Sequence, residues 1–309
     1  MVLTQAPPAQ RPTRAPLARQ ESPDPPQPTP RLELSVGTAV RRFLALASVL
    51  PGTGVHYAVK ANPHPVLLRA LAQAGCRFDV ASPAEALAAL EAGAHPRHLV
   101  HSNPVARRDH LARVYALGVR LFVVDSPGEV AKVAEVAPSA GVLVRVVTSG
   151  SGSDWPLSRK YGCTAQEAVA LLLRAADLGL EPAGVSFHVG SQQRDPQAWD
   201  APIRTAAVVF ASVEAAGHHP WLLDLGGGFP ASLDGDVRAV EHYGRAIRRS
   251  LRDAFAGSPP QTIIEPGRGV VGDAGTVVTR VVGVIDRGGV RWVFIDAGVF
   301  TGLVETLDE

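Results

Sequence analysis

Short β-branched runs alternate with Ala- and Leu-rich helical runs from about Val55 to Glu265. Such alternation is typical of βα units, in which buried parallel strands are covered by helices. The pattern predicts eight strands: Val55–Val59, Arg77–Val80, His98–Val100, Leu121–Val124, Val142–Val146, Gly184–Val189, Leu222–Leu225 and Thr262–Glu265. Eight successive units predict a (β/α)8 barrel of the TIM type. The alternative is a doubly wound open sheet, but the Gly-rich dinucleotide fingerprint after a first strand is absent.

Helix boundaries between these strands are marked by capping residues. Ser82–Glu85, Ser126–Glu129 and Thr164–Glu167 each read as a capping box, and the first two place Pro at the first helical position. Glycines stand where the helices are expected to end: Gly75, Gly93, Gly118 and Gly179. A short strand over Arg31–Val36 and a helix over Gly37–Val49 are predicted to lead into the barrel, whose full extent is then 31–268.

The two ends of the chain differ from the barrel in composition. Residues 1–30 contain nine prolines and few apolar side chains, which predicts a disordered tail, with a Pro-rich docking ligand as the alternative. Residues 269–309 form Val-rich segments, Thr276–Ile285 and Val290–Ile295, around a Gly288-Gly289 turn. They predict an incomplete C-terminal β domain with exposed strand edges, and we expect such a chain to be aggregation-prone or poorly dimeric.

The charge balance narrows the class of partner. The 309 residues carry 30 Lys and Arg against 29 Asp and Glu, a formal net charge of +1. The chain lacks the charge excess that would indicate a nucleic acid or a membrane surface as its partner. No apolar run reaches the roughly 18 residues of a membrane span, and the N-terminus lacks the apolar stretch of a secretion signal. Two cysteines, Cys76 and Cys163, make no disulfide framework, which favours a cytoplasmic location.

Chemistry-bearing residues follow the strands at the end where barrel active sites lie. One lysine, one imidazole, a glycine run and an acid with a nearby arginine are expected to converge there. The candidate residues are Lys60, Asp79, Arg145, His188, Ser191, Gly226, Gly227, Gly228, Glu265 and Arg268. Each has an ordinary structural alternative, such as a surface lysine, a core histidine or a tight turn. Their joint occurrence at successive strand ends favours a site.

These parts suit an aldehyde cofactor with a phosphate tail. A lysine that forms an imine needs an apolar setting in which its amine is neutral, and His56–Val59 would bury the stem of Lys60. Backbone N–H groups of Gly226–Gly228 can bind a phosphate dianion. Glu265 can keep a pyridine nitrogen protonated, and His188 can stack on the ring. No metal site is predicted, because His218-His219 lacks ligand spacing.

Five motifs resemble one enzyme family in order and in residue type. They are Tyr57-Ala58-Val59-Lys60-Ala61-Asn62, Phe78-Asp79-Val80-Ala81-Ser82, Phe187-His188-Val189-Gly190-Ser191-Gln192, Asp224-Leu225-Gly226-Gly227-Gly228-Phe229-Pro230 and Glu265-Pro266-Gly267-Arg268. Together they resemble the alanine-racemase-fold (fold type III) decarboxylases that use pyridoxal 5'-phosphate, a family with ornithine, lysine and diaminopimelate enzymes. Phe187–Gln192 and Asp296–Leu303 are more similar to the bacterial ornithine/lysine branch.

The resemblance implies a role for each candidate. Lys60 would hold the cofactor as an imine with Asp79 beside it, and Arg145 would contact the cofactor side of the site. His188 would stack on the ring and Glu265 would pair with the pyridinium nitrogen. The phosphate would be bound by Ser191 and Gly226–Gly228 with help from Arg268. Asp296 would meet the distal amine of an ornithine or lysine substrate, and the products would be a diamine and CO2.

The resemblance also implies features that this sequence lacks. The family has an aromatic residue after the Glu-Pro-Gly-Arg motif, where this chain has Gly269. The family also continues into a segment with a Cys-Asp motif and a tyrosine, a position that neither Cys76 nor Cys163 occupies. We therefore expect a fragment, a natural truncation or half of a split protein, with the family's head-to-tail homodimer depending on the missing segment. A non-catalytic cofactor- or partner-binding homologue, a diaminopimelate decarboxylase, a racemase and a cofactor carrier remain alternatives.

Overall fold

The computed structural model describes residues 27–157, 160–233 and 237–303. The predicted N-terminal tail therefore lies almost wholly outside the described residues. The described residues divide into two compact units: those within 35–274 form one, and those within 27–34 and 275–303 form the other. Within the described ranges, no helix combines the length and the apolar character that a bilayer crossing requires.

Strands and helices alternate along most of the chain. The strands are β1 (Arg31–Leu34), β2 (Gly54–Ala58), β3 (Arg77–Val80), β4 (Leu99–His101), β5 (Leu121–Val124), β6 (Gly141–Arg145), β7 (Ser153–Trp155), β8 (Glu181–Ser186), β9 (Ser191–Gln193), β10 (Leu222–Asp224), β11 (Gln261–Ile264), β12 (Gly275–Val278), β13 (Val281–Arg287) and β14 (Val290–Ile295). The α-helices are α1 (Val36–Val49), α2 (Pro65–Gln73), α3 (Pro83–Glu91), α4 (Arg108–Ala116), α5 (Pro127–Val136), α6 (Ala165–Asp177), α7 (Asp200–Ala215), α8 (Val240–Ala254) and α9 (Arg268–Val271).

Eight parallel strands close into a barrel in the order β2, β3, β4, β5, β6, β8, β10 and β11, and β11 pairs with β2. The predicted (β/α)8 barrel is thus confirmed, and each predicted barrel strand is present with its ends shifted by no more than three residues. Each strand pairs with the next barrel strand in sequence, so the carboxyl ends of all eight meet at one mouth. The open-sheet alternative is wrong.

The barrel interior is filled by branched and small side chains. Its buried cluster consists of Val100, Val123, Leu143, Ala183, Leu222 and Ile263, with Leu121 packed against it. Gly184 of β8 has φ +150°, and a Cβ built there would lie 1.9 Å from the Leu222 carbonyl oxygen of β10. The two strands therefore approach each other more closely at this point than any residue with a side chain permits.

The three predicted capping boxes differ in outcome. Thr164–Glu167 forms the full reciprocal box at the start of α6. Ser82 caps α3 by accepting from the Glu85 N–H, but the Glu85 carboxylate accepts from the Ala81 N–H instead of the Ser82 N–H. The Ser126 box is wrong, because its side chain makes no cap bond.

The second unit consists of two antiparallel strand pairs. Strand β1 pairs with β12, and β13 pairs with β14 across the Gly288-Gly289 turn. The sequence predicted one strand over Thr276–Ile285, but the chain there changes partner between β12 and β13. Several apolar side chains of the hairpin are exposed, and Val282 is 64% exposed.

His101, at the end of β4, is fully buried against the Phe122 ring, with ring centroids 5.7 Å apart. Neither of its ring nitrogens has a hydrogen-bond partner within the part of the chain that is described. Burial lowers the pKa of His101 from 6.5 to about 4. The folded protein therefore holds this imidazole neutral.

We predict that His101→Phe makes stability less sensitive to acid. The His101 pKa is lower in the folded than in the unfolded state, so its stabilising effect is complete above pH 6.5 and is lost as the pH falls from about 6.5 to about 4. At pH 5 the loss is about 2 kcal/mol, which the variant lacks. Urea unfolding of both proteins at pH 7, 6 and 5 measures the difference. Parallel pH profiles would contradict the prediction.

We predict that Gly184→Ala prevents stable folding or destabilises the protein by about 3 kcal/mol or more, because the methyl group collides with the Leu222 carbonyl. Gly257→Ala is the matched control. Gly257 also has a positive φ, +87°, but its added Cβ meets no atom within 4 Å, so we expect a loss of only about 1 kcal/mol. Equal losses of thermal stability in the two variants would show that the close strand contact is not the cause.

Candidate active site

Lys60 and Asp79 form an ion pair at the barrel mouth. A 3-10 turn, Val59–Ala61, follows β2 and carries Lys60, whose Nζ donates to Asp79 Oδ2 at 3.0 Å. The Asp79 side chain is 1% exposed, whereas the Lys60 side chain is 59% exposed. The nearby Asp79 carboxylate raises the pKa of Lys60 to about 12, against the opposing effect of desolvation. The sequence predicted that His56–Val59 bury the Lys60 stem, but more than half of the side chain is exposed, and its amine is charged.

Glu265 is a buried acid directly after β11. It is 8% exposed, and its Oε1 has no hydrogen-bond partner among the residues described. Burial, followed by the carboxylates of Asp224 and Asp79, raises the pKa of Glu265 well above its usual value, and the Lys60 charge offsets this only in part. The surroundings of Glu265 therefore favour the protonated form of its carboxyl group.

Asp224, at the end of β10, is the neighbouring acid. It accepts from the Ser186 hydroxyl at 2.7 Å and from the Gly226 N–H at 2.9 Å. Burial nevertheless raises the pKa of Asp224 to about 6. Asp224 was quoted in a sequence motif but was assigned no role, although a strand-end position next to the glycine run was the signal available.

The glycine run turns tightly against the neighbouring strand ends. Gly226 has φ +66°, and a Cβ there would lie 2.0 Å from the Phe187 carbonyl oxygen; a Cβ on Gly227 would lie 2.7 Å from the Glu265 carbonyl oxygen. The Gly226 carbonyl accepts from the Glu265 N–H at 2.8 Å. Within the described ranges, the N–H groups of Gly227 and Gly228 donate to no protein acceptor. The turn therefore offers two backbone donors beside the buried acid.

Ser191 and Arg268 lie together at the side of this turn. Arg268 Nε donates to Ser191 Oγ at 3.2 Å, and its guanidinium lies 4.4 Å from the centroid of the Trp155 ring. Trp155 belongs to β7, which pairs with β9, the strand that begins at Ser191. The aromatic face orients the guanidinium through a cation–π contact. No sequence signal indicated Trp155, because strands 36 residues apart form this pair.

His188 and Arg145 are the remaining candidate residues of the barrel. His188 Nδ1 accepts from the Gly190 N–H at 3.0 Å, so the other ring nitrogen, Nε2, carries the proton. Burial, together with the charges of Arg145 and Lys60, lowers the pKa of His188 to about 3. The imidazole is neutral, and its Nε2 would be 3.0 Å from a Cβ on Gly227. Arg145 ends β6 with its guanidinium 5.4 Å from the Tyr161 ring centroid.

Asp296 belongs to the other compact unit. Its Oδ1 accepts from the Arg280 N–H at 2.8 Å, and its Oδ2 accepts from the Thr29 hydroxyl. These two bonds lower the pKa of Asp296 below its ordinary value, with the Thr29 bond first. The carboxylate is therefore charged at neutral pH.

Ser102 is a further residue that the sequence analysis did not find. It directly follows β4 and is 7% exposed. Its hydroxyl lies near the Glu265 carboxyl group and partly offsets the rise in the Glu265 pKa. A polar residue at a strand end was the available signal.

The arrangement fits an aromatic aldehyde that carries a phosphate. Such a molecule needs an amine, an acid, a flat surface and phosphate donors, and the site has all four. They are the primary amine of Lys60, the Glu265 oxygen without a described partner, the neutral imidazole of His188 and the backbone N–H groups of Gly227 and Gly228. The acid can pair with a basic ring nitrogen, and the backbone donors with phosphate oxygens.

Comparison with known proteins agrees with this fit. The chain is 36% identical over 279 residues to the lysine/ornithine decarboxylase of Selenomonas ruminantium, covering 88% of this chain and 69% of that protein. It is 34% identical to antizyme inhibitor 2 of Xenopus laevis, covering 80% of this chain and 54% of the relative. The chain thus spans between about half and just over two thirds of these relatives.

A solved structure is similar over nearly the whole chain. The Vibrio vulnificus lysine/ornithine decarboxylase complexed with putrescine matches with a TM-score of 0.82 and 29% identity, covering 91% of this chain and 74% of that one. The family model of the pyridoxal-dependent decarboxylases, describing their pyridoxal-binding domain, matches residues 36–272. That match includes every barrel strand and every candidate residue except Asp296, and the chain belongs to the family of pyridoxal-dependent decarboxylases.

Proposed function

We propose that the protein is a pyridoxal-phosphate-dependent decarboxylase of a basic amino acid, ornithine or lysine, that yields a diamine and CO2. The observation that carries the proposal is the Lys60–Asp79 pair at the same barrel mouth as the unpartnered acid Glu265 and the glycine turn. Bound pyridoxal phosphate supplies an electron sink for the pair of electrons that remains on the substrate α-carbon when CO2 leaves.

Lys60 would hold the cofactor through its side-chain amine. The pKa of about 12 means that this amine must first lose a proton. Asp79 Oδ2, at 3.0 Å, is in position to accept it, and Asp79 Oδ1 has no other partner within the described residues. Asp79 thus stabilises the charged amine before attachment and a protonated nitrogen afterwards.

Glu265 and His188 would bind the ring. Glu265 would face the ring nitrogen, and its carboxyl group, whose pKa burial raises, would share a proton with that nitrogen. His188 is neutral, so its flat face can pack against the ring without adding a charge. Arg145 adds a positive charge on this side of the site, where it already acts on both Lys60 and His188.

The phosphate would be bound at the glycine turn. The N–H groups of Gly227 and Gly228 are available, and the Gly226 N–H fixes the turn by binding Asp224. Arg268 supplies charge through a guanidinium already oriented toward Ser191. The backbone N–H groups can donate hydrogen bonds to the phosphate oxygens, and the guanidinium group adds a positive charge opposite the phosphate dianion.

Asp296 would receive the distal ammonium group of the substrate, a role supported by its charged state.

The diamine product places the enzyme in polyamine synthesis. A cytoplasmic location is supported by two free thiols, Cys76 and Cys163. We also propose a head-to-tail homodimer, with residues 31–268 as the cofactor-binding part and 269–309 as part of a β domain.

A non-catalytic homologue is the second candidate. The similarity to a relative named antizyme inhibitor 2 favours it, since that name does not describe an enzyme. The complete set of cofactor-binding groups at the barrel mouth favours the enzyme. A turnover measurement separates the two.

We predict that Lys60 alone carries the cofactor. Borohydride reduction of the loaded protein, followed by peptide mapping, should label the Lys60 peptide, and Lys60→Ala should lose both the label and the visible absorbance of the attached cofactor. Lys132→Ala is the matched control, because Lys132 is already bound to Glu129 and to the Ala106 carbonyl. A label on Lys132 or Lys160 in the unmodified protein would refute the assignment.

We predict CO2 release from ornithine or lysine well above that of the Lys60→Ala protein, measured with saturating pyridoxal phosphate. The two substrates differ by one methylene, so we expect rates within about 200-fold of each other. Diaminopimelate as the best substrate would point to the diaminopimelate enzymes instead. No release from any of the three, with the cofactor attached, would favour the non-catalytic homologue.

A further inference from the structure

Helix α8 carries a stripe of cationic side chains on its solvent side. His242, Arg245, Arg249 and Arg252 follow one another at intervals of three, four and three residues, and all four are exposed. Because an α-helix has 3.6 residues per turn, this spacing places them on one face, about 15 Å long. Tyr243 and other buried residues occupy the opposite face.

The stripe forms one wall of a groove of about 520 Å³. The groove is lined by Asp195, Pro196, Gln197, Arg238, His242, Arg245, Ala246, Arg248, Arg249 and Arg252. Among the described residues, the lining thus includes five arginines and a single acidic residue, in a protein whose formal net charge is only +1. Composition alone does not explain this, because 27 arginines in 309 residues predict about one arginine among ten lining residues.

The charges of the groove are poorly compensated by the protein. Across the described ranges, Arg245 and Arg249 form no ion pair, and Arg252 has only its neighbour Asp253 at 3.6 Å. Like charges four residues apart on a helix destabilise it by a few tenths of a kcal/mol per pair. The folded chain therefore holds a concentrated positive field that a bound anion would neutralise.

The lining also limits the kind of anion. Among the described residues, the groove has no Phe, Tyr or Trp ring on which a nucleic-acid base can stack, and its apolar residues are Pro196 and Ala246 alone. A peptide would find no pocket for an apolar anchor. A guanidinium group binds phosphate through two parallel N–H donors, so successive arginines suit a ligand made mainly of phosphate. We propose that this groove binds a condensed phosphate chain, free or as the triphosphate of a nucleotide.

This site is separate from the glycine turn, although one helix touches both. The Tyr243 hydroxyl, on the inner face of α8, donates to the Gln193 and Arg194 carbonyl oxygens at 3.0 and 3.2 Å. Gln193 is the last residue of β9, the strand that begins at Ser191. No residue of the groove belongs to the group proposed for the cofactor phosphate. The two phosphate sites can therefore be tested independently.

Titration calorimetry with inorganic tripolyphosphate tests the proposal. The full chain is first saturated with pyridoxal phosphate, so that tripolyphosphate cannot bind at the glycine turn. We expect saturable binding of tripolyphosphate that weakens as salt is added. The double variant Arg245→Glu with Arg249→Glu should weaken this binding about tenfold or more. The double variant Arg245→Gln with Arg249→Gln adds no acid to the helix, and it should also weaken tripolyphosphate binding.

The control is Arg113→Glu with Arg174→Glu. Both arginines are exposed on other helices, and the change in net charge is the same, so binding should remain as in the unmodified protein. ATP should bind as well. Equal affinities would identify the phosphate chain as the ligand, and ATP binding tenfold more tightly would identify a nucleotide as its source.

Four results would overturn the proposal. They are no binding of tripolyphosphate, the same loss in the control pair as in the groove pair, equal affinity for monophosphate, and tighter binding of hexaglutamate or of single-stranded DNA than of tripolyphosphate. None of these depends on decarboxylase activity, so the proposal stands or fails separately from the proposed function.

Discussion

Three carboxyl groups are buried at the mouth of the barrel, and the way each is compensated determines what the site can do. Removing a carboxylate from water is costly unless a charge or hydrogen-bond donors replace the water. Asp79 receives the charge of Lys60, and Asp224 receives a hydroxyl and a backbone N–H. Glu265 has an oxygen without a partner among the described residues, and burial and the two neighbouring carboxylates raise its pKa well above the usual value. These surroundings favour the protonated form of Glu265, which can donate to a base that enters from the mouth.

The same carboxyl groups fix the phosphate end of the site. The Gly226 N–H binds Asp224, and its carbonyl accepts from the Glu265 N–H, so the turn and the two acids belong to one hydrogen-bond system. Just before the turn, the Leu225 carbonyl accepts from the indole of Trp199, which is fully buried. The distance between the acid and the Gly227 donor is therefore set by the closed barrel. A rigid cofactor needs such a fixed distance, because binding then orders few groups of the protein.

The sequence predicted the barrel well because its strands are continuous apolar runs bounded by polar residues, and closure then brings their carboxyl ends together. This reasoning alone predicts that the strand-end residues share one mouth, among them Lys60, Asp79, His188 and Glu265. It failed where a property depends on a contact between distant segments. An apolar setting was expected for Lys60, but the pairing of β2 with β3 places its amine 3.0 Å from the Asp79 carboxylate, in a charged pair. Ser126 was expected to share a capping box with Glu129, whose carboxylate instead pairs with Lys132.

An unpartnered buried acid also argues against a purely structural role for the barrel. A buried polar group without a partner costs about 1–3 kcal/mol, and an apolar residue of similar volume at Glu265 would remove that cost. The same reasoning applies to the two glycine N–H groups, which a turn without a ligand would leave to water. Both costs are recovered when a cationic ring and a phosphate dianion bind, one at each end of the site. The energetics of the mouth therefore favour a cofactor-binding protein over a bare scaffold.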